Sequence, residues 1–205
     1  MKKLLIATKN EGKLKEFKNF LSELPLKILS LKDLKIKENF KETGKTYLQN
    51  STAKALFYAK LSDLPTIADD GGIEIEALNF KPGIKSRRWL GYEATDEELI
   101  AHMIKISKGL PNNNRKAFFR TVVSFALPNG KIYSSRGEIE GIIAKKPYLK
   151  LLKGYPYRSF FYLPKIKKYY HENQLTNKEQ KLYNHRYKAI RELKPIINKE
   201  LGIKN

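Results

Sequence analysis

Two adjacent carboxylates, Asp69 and Asp70, follow a short apolar segment and precede two glycines, Gly71 and Gly72. Paired acids on rigid flanking elements suit divalent-metal binding or general-base catalysis, because the backbone on either side fixes their geometry. The glycines predict a turn, and the alternation of apolar and acidic residues after them predicts a half-buried strand. An Asx turn, in which the carboxylates bond their own backbone, is equally compatible with this pattern. The residues alone leave both interpretations open.

A second candidate site is the polar segment between the first predicted strand and the first predicted helix. It consists of Thr8, Lys9, Asn10, Glu11, Gly12 and Lys13. Backbone N–H groups at a helix N-terminus point outward and the helix dipole favours an anion, so the segment has the parts of a phosphate loop. Its spacing differs from the Walker pattern. A capped surface turn would have the same composition.

The elements that must position these residues alternate between strands and helices and end in a long hairpin, which predicts a mixed α/β fold. Strands are predicted over residues 3–7, 26–31, 117–127 and 132–143. Helices are predicted from about residue 14, over 47–61 behind a Thr46 cap, after a Thr95 capping box, and over 177–199. Pro195 is expected to kink the last helix or end it early. Glu74 and Glu76 are expected on the solvent face of their strand, without a catalytic role.

The composition is that of a folded protein. The 205 residues are 41% hydrophobic and 11% aromatic, enough to bury a core, and we expect a single domain over residues 1–205. No run approaches the roughly 18 apolar residues of a membrane helix. The absence of cysteine excludes disulfides, thiolate metal sites and a cysteine nucleophile. The segment 1–7 predicts a first strand rather than a signal peptide, so we expect a cytoplasmic protein without membrane association.

The positive charge is unevenly distributed along the chain. The formal net charge is +20, and the stretch from Lys145 to the end holds 16 Lys and Arg against 4 Glu. A basic surface attracts polyanions such as nucleotides, phosphates or RNA. Basic residues interleaved with tyrosines occur on nucleic-acid surfaces, whereas a solvated helical face is the commoner outcome. Nucleic-acid binding is therefore an alternative rather than the main prediction.

Three further segments give the candidate residues a shared context. They are Glu42-Thr43-Gly44 ahead of a helix containing Asn50, the stretch from Asp69 to Gly72 followed by Pro82-Gly83, and Asn184-His185-Arg186. In this order and spacing the chain resembles the inosine triphosphate pyrophosphatase (Ham1-like) family, which cleaves non-canonical purine nucleoside triphosphates to monophosphate and pyrophosphate. The resemblance extends from Leu5 to about Leu193.

On the phosphate side, the resemblance implies a centre that uses Mg²⁺ as cofactor. Thr8 to Lys13 match the triphosphate-binding loop, and Asp70 matches the general base. Glu42 and Asp69, together with Asp70, match the acids at the metal. Phosphoanhydride hydrolysis needs Mg²⁺ to bridge phosphate oxygens, cations such as Lys13 to take up developing charge, and a carboxylate to orient the water. The residue types agree with these roles.

On the base side, His185 and Arg186 match the family's pair beside the base and sugar, although a helix-surface histidine would look the same in sequence. The resemblance also implies an elongated α/β fold, with a twisted mixed sheet flanked by helices and two lobes around a central cleft. Family members are commonly homodimers, so a homodimer that binds a nucleoside triphosphate is expected.

The departures from the family pattern lie on the base side. Among the matched substrate positions, Tyr157 is unchanged, whereas Tyr155, Pro156 and Arg158 replace Phe, Gly and Asp, Gln180 replaces a lysine, and Gly71 replaces a serine. Tyr155 can stack on a base as Phe would. Arg158 presents donors where the family has an acceptor, so it donates to a keto oxygen, binds a phosphate or points to solvent. Lys178 or Lys181 would be the substitutes for the missing amine.

Two functions are therefore predicted. The first is Mg²⁺-dependent hydrolysis of nucleotides of the ITP, dITP and XTP type, as part of nucleotide-pool sanitation, with altered base selectivity. The alternative is a catalytically impaired protein that binds nucleotides or RNA through its basic C-terminal third. The acids Glu42, Asp69 and Asp70 favour the enzyme, because a binding protein could dispense with them.

Overall fold

The fold is organised around a mixed sheet that carries the paired carboxylates on a central strand. The computed structural model describes residues 1–148 and 152–203, within which the strands are β1 (Lys2–Ile6), β2 (Leu26–Ser30), β3 (Thr66–Ile75), β4 (Lys81–Pro82), β5 (Lys116–Ala126), β6 (Ile132–Ile143), β7 (Phe161–Leu163) and β8 (Lys168–Tyr169). The helices are α1 (Glu11–Phe20), α2 (Tyr47–Ser62), α3 (Asp96–Gly109), α4 (Asn177–Leu182) and α5 (His185–Leu201). Short 3-10 helices occupy Glu76–Leu78, Gly83–Arg88, Arg158–Phe160 and Pro164–Ile166.

The strand pairing is partly parallel and partly antiparallel. The order is β2-β1-β3-β5-β6-β7-β8, and β4 pairs with β3. β1 is parallel to β2 and β3, whereas the β3–β4, β6–β7 and β7–β8 pairs are antiparallel. The predicted mixed α/β class is confirmed. The predicted hairpin between β5 and β6 is also confirmed, since Leu127 N–H donates to Lys131 O at 2.9 Å across its turn.

The chain divides into two compact units, each with its own apolar core. The first unit comprises Met1–Asp70, Thr121–Gly137 and the segment that starts at Arg186. The second unit comprises Gly71–Arg120 and Glu138–His185. Its core joins residues of α3 to aromatic side chains of the surrounding strands. The prediction of a single domain over the whole chain stays a prediction.

In the first unit, β1 is buried on both faces from Leu4 to Ile6, which explains the apolar residues there, whereas Lys2 and Lys3 are exposed. Leu4 and Ile6 pack in a cluster that includes Phe17 of α1. Leu5 points the other way and packs in a cluster that includes Ala55 of α2. Successive side chains of a strand face opposite sides, so α1 and α2 cover different faces of β1. The carboxyl end of the strand then leads into the predicted phosphate segment.

β3 runs without interruption through both carboxylates and both glycines, so the predicted turn at the glycines is wrong. The continuous strand equally excludes the Asx turn. Gly72 is required for close packing, because Ser86 Oγ and the carbonyl oxygen of Gly83 occupy the space where a Cβ would lie. Ser86 Oγ also accepts the Ile73 N–H at 3.0 Å, and this hydrogen bond connects the 3-10 helix Gly83–Arg88 to β3.

Replacing Gly72 by alanine is expected to lower the free energy of unfolding by about 1–3 kcal/mol, because the added methyl group overlaps backbone and Ser86. Gly109, at the end of α3, offers a matched control, since no described atom outside its chain neighbours and the backbone of its own helix lies within 4 Å of its Cβ position. Gly109→Ala is expected to be neutral or slightly stabilising. Urea unfolding measures both variants. Equal stabilities would contradict the packing role of Gly72.

Helix starts largely follow the predicted capping chemistry. Thr46 caps α2, and Thr95 forms the capping box of α3, both as predicted. α1 begins at Glu11, earlier than predicted, because Asn10 Oδ1 accepts the Lys13 N–H at 3.1 Å. The last three residues of the predicted phosphate loop are therefore the first turn of the helix.

The last predicted helix is two helices. α4 ends at Leu182, since Tyr183 has non-helical backbone angles (φ −102°, ψ 29°), and α5 begins at His185. α5 continues past Pro195 to Leu201, so the expected early end is wrong.

Candidate active site

The predicted phosphate segment forms the N-terminal turn of α1 at the carboxyl end of β1. The Asn10 N–H donates to Thr8 Oγ1 at 3.2 Å, and Asn10 Oδ1 caps the helix. Lys9 and Glu11 are exposed, whereas Gly12 is half-buried. The residues predicted to bind the triphosphate therefore gather around one helix N-terminus, where backbone N–H groups favour an anion.

Asp69 holds two cations in the first unit. β3 runs parallel to β1, so its carboxylates lie beside the start of α1. Asp69 Oδ2 lies 3.0 Å from Lys13 Nζ and 2.9 Å from Arg186 Nε. Arg186 also contacts Glu16, one turn further along α1, at 3.3 Å. The carboxylate thus joins the predicted phosphate-binding lysine to the arginine of α5.

The charges of this cluster are strongly coupled. Burial acts to raise the pKa of Asp69, but the positive charges of Lys13 and Arg186 hold that pKa well below its usual range. Burial lowers the pKa of Lys13, Asp69 opposes this shift, and Arg186 adds to it. Asp69 therefore stays ionised, and it holds together the half-buried Lys13 and the buried Arg186, which would otherwise repel each other.

Asp70 lies in the opposite kind of environment. Burial and the negative charge of Glu42 raise the pKa of Asp70 from 3.8 to about 6. Asn50 Nδ2 donates to Asp70 Oδ2 at 2.9 Å, and Thr121 Oγ1 donates to the Asp70 carbonyl oxygen at 2.9 Å. Gly71, a predicted substrate contact, follows in the strand and is half-buried. A carboxyl group that titrates near neutrality suits the predicted general base.

α2 supplies two site residues that the sequence analysis did not assign, Asn50 and Lys54. Lys54 Nζ lies 2.5 Å from Glu42 Oε1. Burial acts to lower the pKa of Lys54, but Glu42 and the paired carboxylates raise it overall. Asn50 Oδ1 accepts the Gly44 N–H at 2.7 Å. Residues four apart share a helix face, and that spacing behind the Glu42 segment was the signal available in the sequence.

In the second unit, Arg158 is buried between two tyrosine rings. Its guanidinium carbon lies 3.7 Å from the ring centroid of Tyr155 and 4.3 Å from that of Tyr170. Cation–π contacts away from water are worth about 2 kcal/mol, so the aromatic faces hold the guanidinium in place. The interpretation in which Arg158 points to solvent is wrong, because only 6% of the residue is exposed.

His185 is the first residue of α5 and is buried, so the interpretation as a helix-surface histidine is wrong. Its ring stacks on Phe119, with ring centroids 5.2 Å apart. The Tyr170 hydroxyl oxygen lies 3.5 Å from His185 Nδ1. Tyr170 therefore contacts both His185 and Arg158, and no spacing in the sequence marked it as a site residue.

The remaining base-side positions lie within the second unit. Pro156 and Tyr157 are buried, and the Tyr157 hydroxyl donates to the carbonyl oxygen of Ser86. Gln180 Nε2 donates to the carbonyl oxygen of Leu175 at 3.1 Å. Both lysines considered as substitutes for the family's amine are exposed on α4, namely Lys178 and Lys181. The predicted site residues thus form one group in each unit.

The acids of the first unit fit a hard divalent cation. Within residues 1–148 and 152–203, no three His, Cys, Asp or Glu side chains are gathered closely enough to enclose an ion by themselves. Mg²⁺ does not need such a cage, because it keeps waters and substrate phosphates as ligands. Asp69 Oδ1 is buried without a hydrogen-bond partner among the described residues. That oxygen and the carboxylates of Glu42 and Asp70 are the donor type that Mg²⁺ prefers.

Comparison with known proteins identifies the family. A sequence model of the Ham1 family matches residues 4–196. This chain belongs to the Ham1 family. The dITP/XTP pyrophosphatase of Thermoanaerobacter pseudethanolicus is 38% identical over 199 residues, covering 97% of this chain and 98% of that protein. The dITP/XTP pyrophosphatase of Thermus thermophilus is 37% identical over 191 residues, covering 93% of this chain and 89% of that protein.

Solved Ham1 structures have the same fold. The HAM1 protein from Coxiella burnetii matches with a TM-score of 0.81 at 31% identity, covering 97% of this chain and 100% of that one. The Staphylococcus aureus Ham1 protein matches with a TM-score of 0.78 at 30% identity and the same coverage. The resemblance inferred from sequence motifs is confirmed, and the region matched to the Ham1 family includes every candidate position from Thr8 to Arg186.

Proposed function

We propose that this Ham1 protein hydrolyses non-canonical purine nucleoside triphosphates of the ITP, dITP and XTP type to monophosphate and pyrophosphate, with Mg²⁺ as cofactor. One observation carries the proposal. Asp69 Oδ2 lies within 3.0 Å of Lys13 Nζ and Arg186 Nε, whereas its neighbour Asp70 accepts a hydrogen bond from Asn50 and has its pKa raised by burial and by the negative charge of Glu42. Adjacent carboxylates with such different environments separate cation positioning from general-base work.

The relatives support the enzyme class directly. The two relatives that were compared by sequence are both named dITP/XTP pyrophosphatases, and both align over nearly the whole of this chain. The predicted class, a nucleoside triphosphate pyrophosphatase that acts on acid anhydrides, is confirmed. Removal of non-canonical nucleotides from the nucleotide pool is the corresponding role that we propose.

The first unit contains the groups that such a reaction needs. Lys13, Lys54 and Arg186 offer positive charge to phosphate oxygens on which negative charge develops. Glu42, Asp69 and Asp70 would hold Mg²⁺, which would supply positive charge to the phosphate oxygens. Asp70 accepts the proton of the attacking water, or orders that water for attack, because its pKa lies close to neutral pH.

A substrate panel tests the proposed activity. Purified protein is incubated with inosine, xanthosine and canonical triphosphates, with and without Mg²⁺, and pyrophosphate and monophosphate are quantified. Pyrophosphate release that requires Mg²⁺ is the expected result. Absence of pyrophosphate from every triphosphate would overturn the proposal. Steeply salt-dependent RNA binding by the same inactive protein would then support the impaired binding protein instead.

Base selectivity is proposed to be altered, because Arg158 stands where the family has an acid. Its guanidinium is fixed between Tyr155 and Tyr170 rather than free to swing into solvent. A guanidinium cannot accept a hydrogen bond, so the contact that a carboxylate at this position makes with a ring N–H of a non-canonical purine is lost, and discrimination in favour of that purine is expected to relax. Strong discrimination for inosine over adenosine and guanosine triphosphates, of the kind the family shows, would contradict this proposal.

Replacing Arg158 by aspartate is expected to restore discrimination, since the carboxylate again accepts from a ring N–H. The measured quantity is the ratio of kcat/KM for inosine triphosphate to that for adenosine triphosphate on one preparation. This ratio is insensitive to the fraction of protein that folds, which matters because position 158 is buried. Arg158→Lys, which keeps the charge, is the control and should leave the ratio near the wild-type value. An unchanged ratio in Arg158→Asp would show that this position does not select the base.

A homodimer is proposed on the family resemblance, and sedimentation velocity tests it. Among the described residues, no helix combines the length and apolar character needed to cross a membrane.

A further inference from the structure

Asn50 connects two parts of the candidate active site through a single side chain. It lies in the first turn of α2 and is 1% exposed. Its Nδ2 donates to Asp70 Oδ2 at 2.9 Å, and its Oδ1 accepts the Gly44 N–H at 2.7 Å. A carboxylate accepts and a backbone N–H donates, so the two partners together fix the orientation of the amide. Both the nitrogen and the oxygen of the Asn50 amide are therefore hydrogen-bonded.

The backbone on the Gly44 side is packed tightly against α2. A Cβ on Gly44 would lie 2.6 Å from Asn50 Oδ1 and 2.8 Å from the Gln49 Cβ. The segment is held a second time by the Lys45 N–H, which donates to Gln49 Oε1 at 2.7 Å. The short segment that carries Glu42 is thus folded back onto the first turn of the helix.

α2 sets the arrangement of two carboxylates at once. Asn50 contacts Asp70, and Lys54, four residues later on the same helix face, contacts Glu42 at 2.5 Å. The bond from Asn50 engages one oxygen of Asp70 and so fixes the rotation of its carboxyl group. The direction of the second oxygen follows from that rotation.

We propose that Asn50 is a positioning residue for the reaction, which sets the orientation of the Asp70 carboxylate and its placement relative to Glu42. The inference rests on the proposed function, since it assigns to Asn50 the geometry of the general base and of the metal-binding acids. Removing a side chain that hydrogen-bonds a metal-binding or catalytic residue typically lowers metal affinity or activity by about 10–100-fold. A side chain that only closed the loop at Gly44 would contribute to stability alone.

The test compares Asn50→Leu with Gln49→Ala. Leucine matches the size of asparagine and removes both hydrogen bonds, whereas Gln49→Ala removes the other tether of the same loop without touching Asp70. Asn50→Leu is expected to lower kcat by about 10–100-fold with KM changed less than about threefold, and to weaken Mg²⁺ binding by about tenfold. Gln49→Ala is expected to keep kcat and Mg²⁺ affinity within about twofold.

Mg²⁺ binding is measured by titration calorimetry on the full chain without nucleotide, so the readout does not depend on turnover. Asn50→Ser serves as a second variant if the leucine variant does not fold, because serine is small, polar and too short to reach both partners. The proposal is overturned if the folded Asn50 variant keeps wild-type kcat and Mg²⁺ affinity, or if Gln49→Ala loses as much as it does. The failure of this proposal can be distinguished from that of the proposed function. If the wild-type protein releases no pyrophosphate, but the Asn50 variant binds Mg²⁺ more weakly than the wild type, the proposed function is overturned and the positioning role of Asn50 is supported.

Discussion

Replacing Asp70 by asparagine is expected to lower kcat by about 10²–10⁴-fold, because the group that activates the water is lost while its shape remains. The fold is expected to stay intact. The pKa of Asp70 is raised to about 6 by burial and by Glu42, so its ionised form opposes folding at neutral pH, and a neutral amide removes that repulsion. Thermal unfolding at pH 8 should therefore show equal or higher stability. Steady-state release of pyrophosphate measures kcat.

Asp63→Asn is the matched control for this variant. It makes the same chemical change at an exposed residue that ends α2 in a left-handed conformation, which asparagine also adopts readily. Wild-type kcat is expected for it. An Asp70→Asn enzyme that keeps more than about a tenth of wild-type kcat would show that another group activates the water.

The titration of Asp70 is expected to produce an acid limb in the pH profile of the activity. The general base must be ionised, so kcat/KM is expected to fall about tenfold per pH unit below about pH 6. Mg²⁺ binds the ionised form, so a higher Mg²⁺ concentration should move the limb to lower pH. Protonation of Asp70 has the opposite effect on the free energy of unfolding, which it increases. The folded protein holds this proton more tightly than the unfolded chain, so protonation between about pH 6 and pH 4 favours folding at this site. Rate profiles at two Mg²⁺ concentrations test the prediction, and an identical limb in Asp70→Asn would contradict it.

Replacing Asp69 by asparagine is expected to destabilise the protein by about 3–5 kcal/mol, because Lys13 and Arg186 both lose the carboxylate that lies between them. For a chain of this size, such a loss lowers the melting temperature by roughly 6–20 °C. Urea unfolding measures the free energy directly. Weaker binding of the triphosphate should accompany it, since the two cations are no longer held together.

Glu192→Gln is the matched control for the Asp69 variant. It removes the acid of an exposed pair, in which more than half of the Arg191 and Glu192 side chains is accessible. Exposed ion pairs contribute about 0–1 kcal/mol, so little change is expected. The contrast with Asp70→Asn is sharper still, because one chemical change at adjacent residues should move stability in opposite directions. Destabilisation of similar size in both variants would refute the assigned environments.

Sequence reasoning succeeded where local chemistry decides the structure. The hairpin turn before Lys131, the Thr46 cap and the Thr95 capping box each depend on residues within a few positions of one another. The family motifs also led to the correct family. These signals survive in a single sequence because no distant contact is needed to produce them.

The errors arose where distant contacts decide. The Gly71-Gly72 pair predicts a turn, but the lack of a side chain at Gly72 is required by Ser86 and the Gly83 carbonyl, more than ten positions later. Asn50 and Lys54 were not assigned because their partners lie in other elements of the first unit. Arg158 was assigned correctly as a departure, but its burial depends on Tyr170, which no motif marked.

Asp69 and Arg186 are separated by 117 positions in the chain, which has a consequence for how the protein is made. Synthesis proceeds at roughly 5–20 residues per second, so the phosphate segment and both carboxylates leave the ribosome well before α5 exists. Until then the Asp69–Arg186 contact cannot form. The first unit is completed only by the segment that starts at Arg186. A nascent chain that stops short of α5 would hold Glu42, Asp69 and Asp70 but not Arg186, so we expect the proposed activity to appear only with the last stretch of translation.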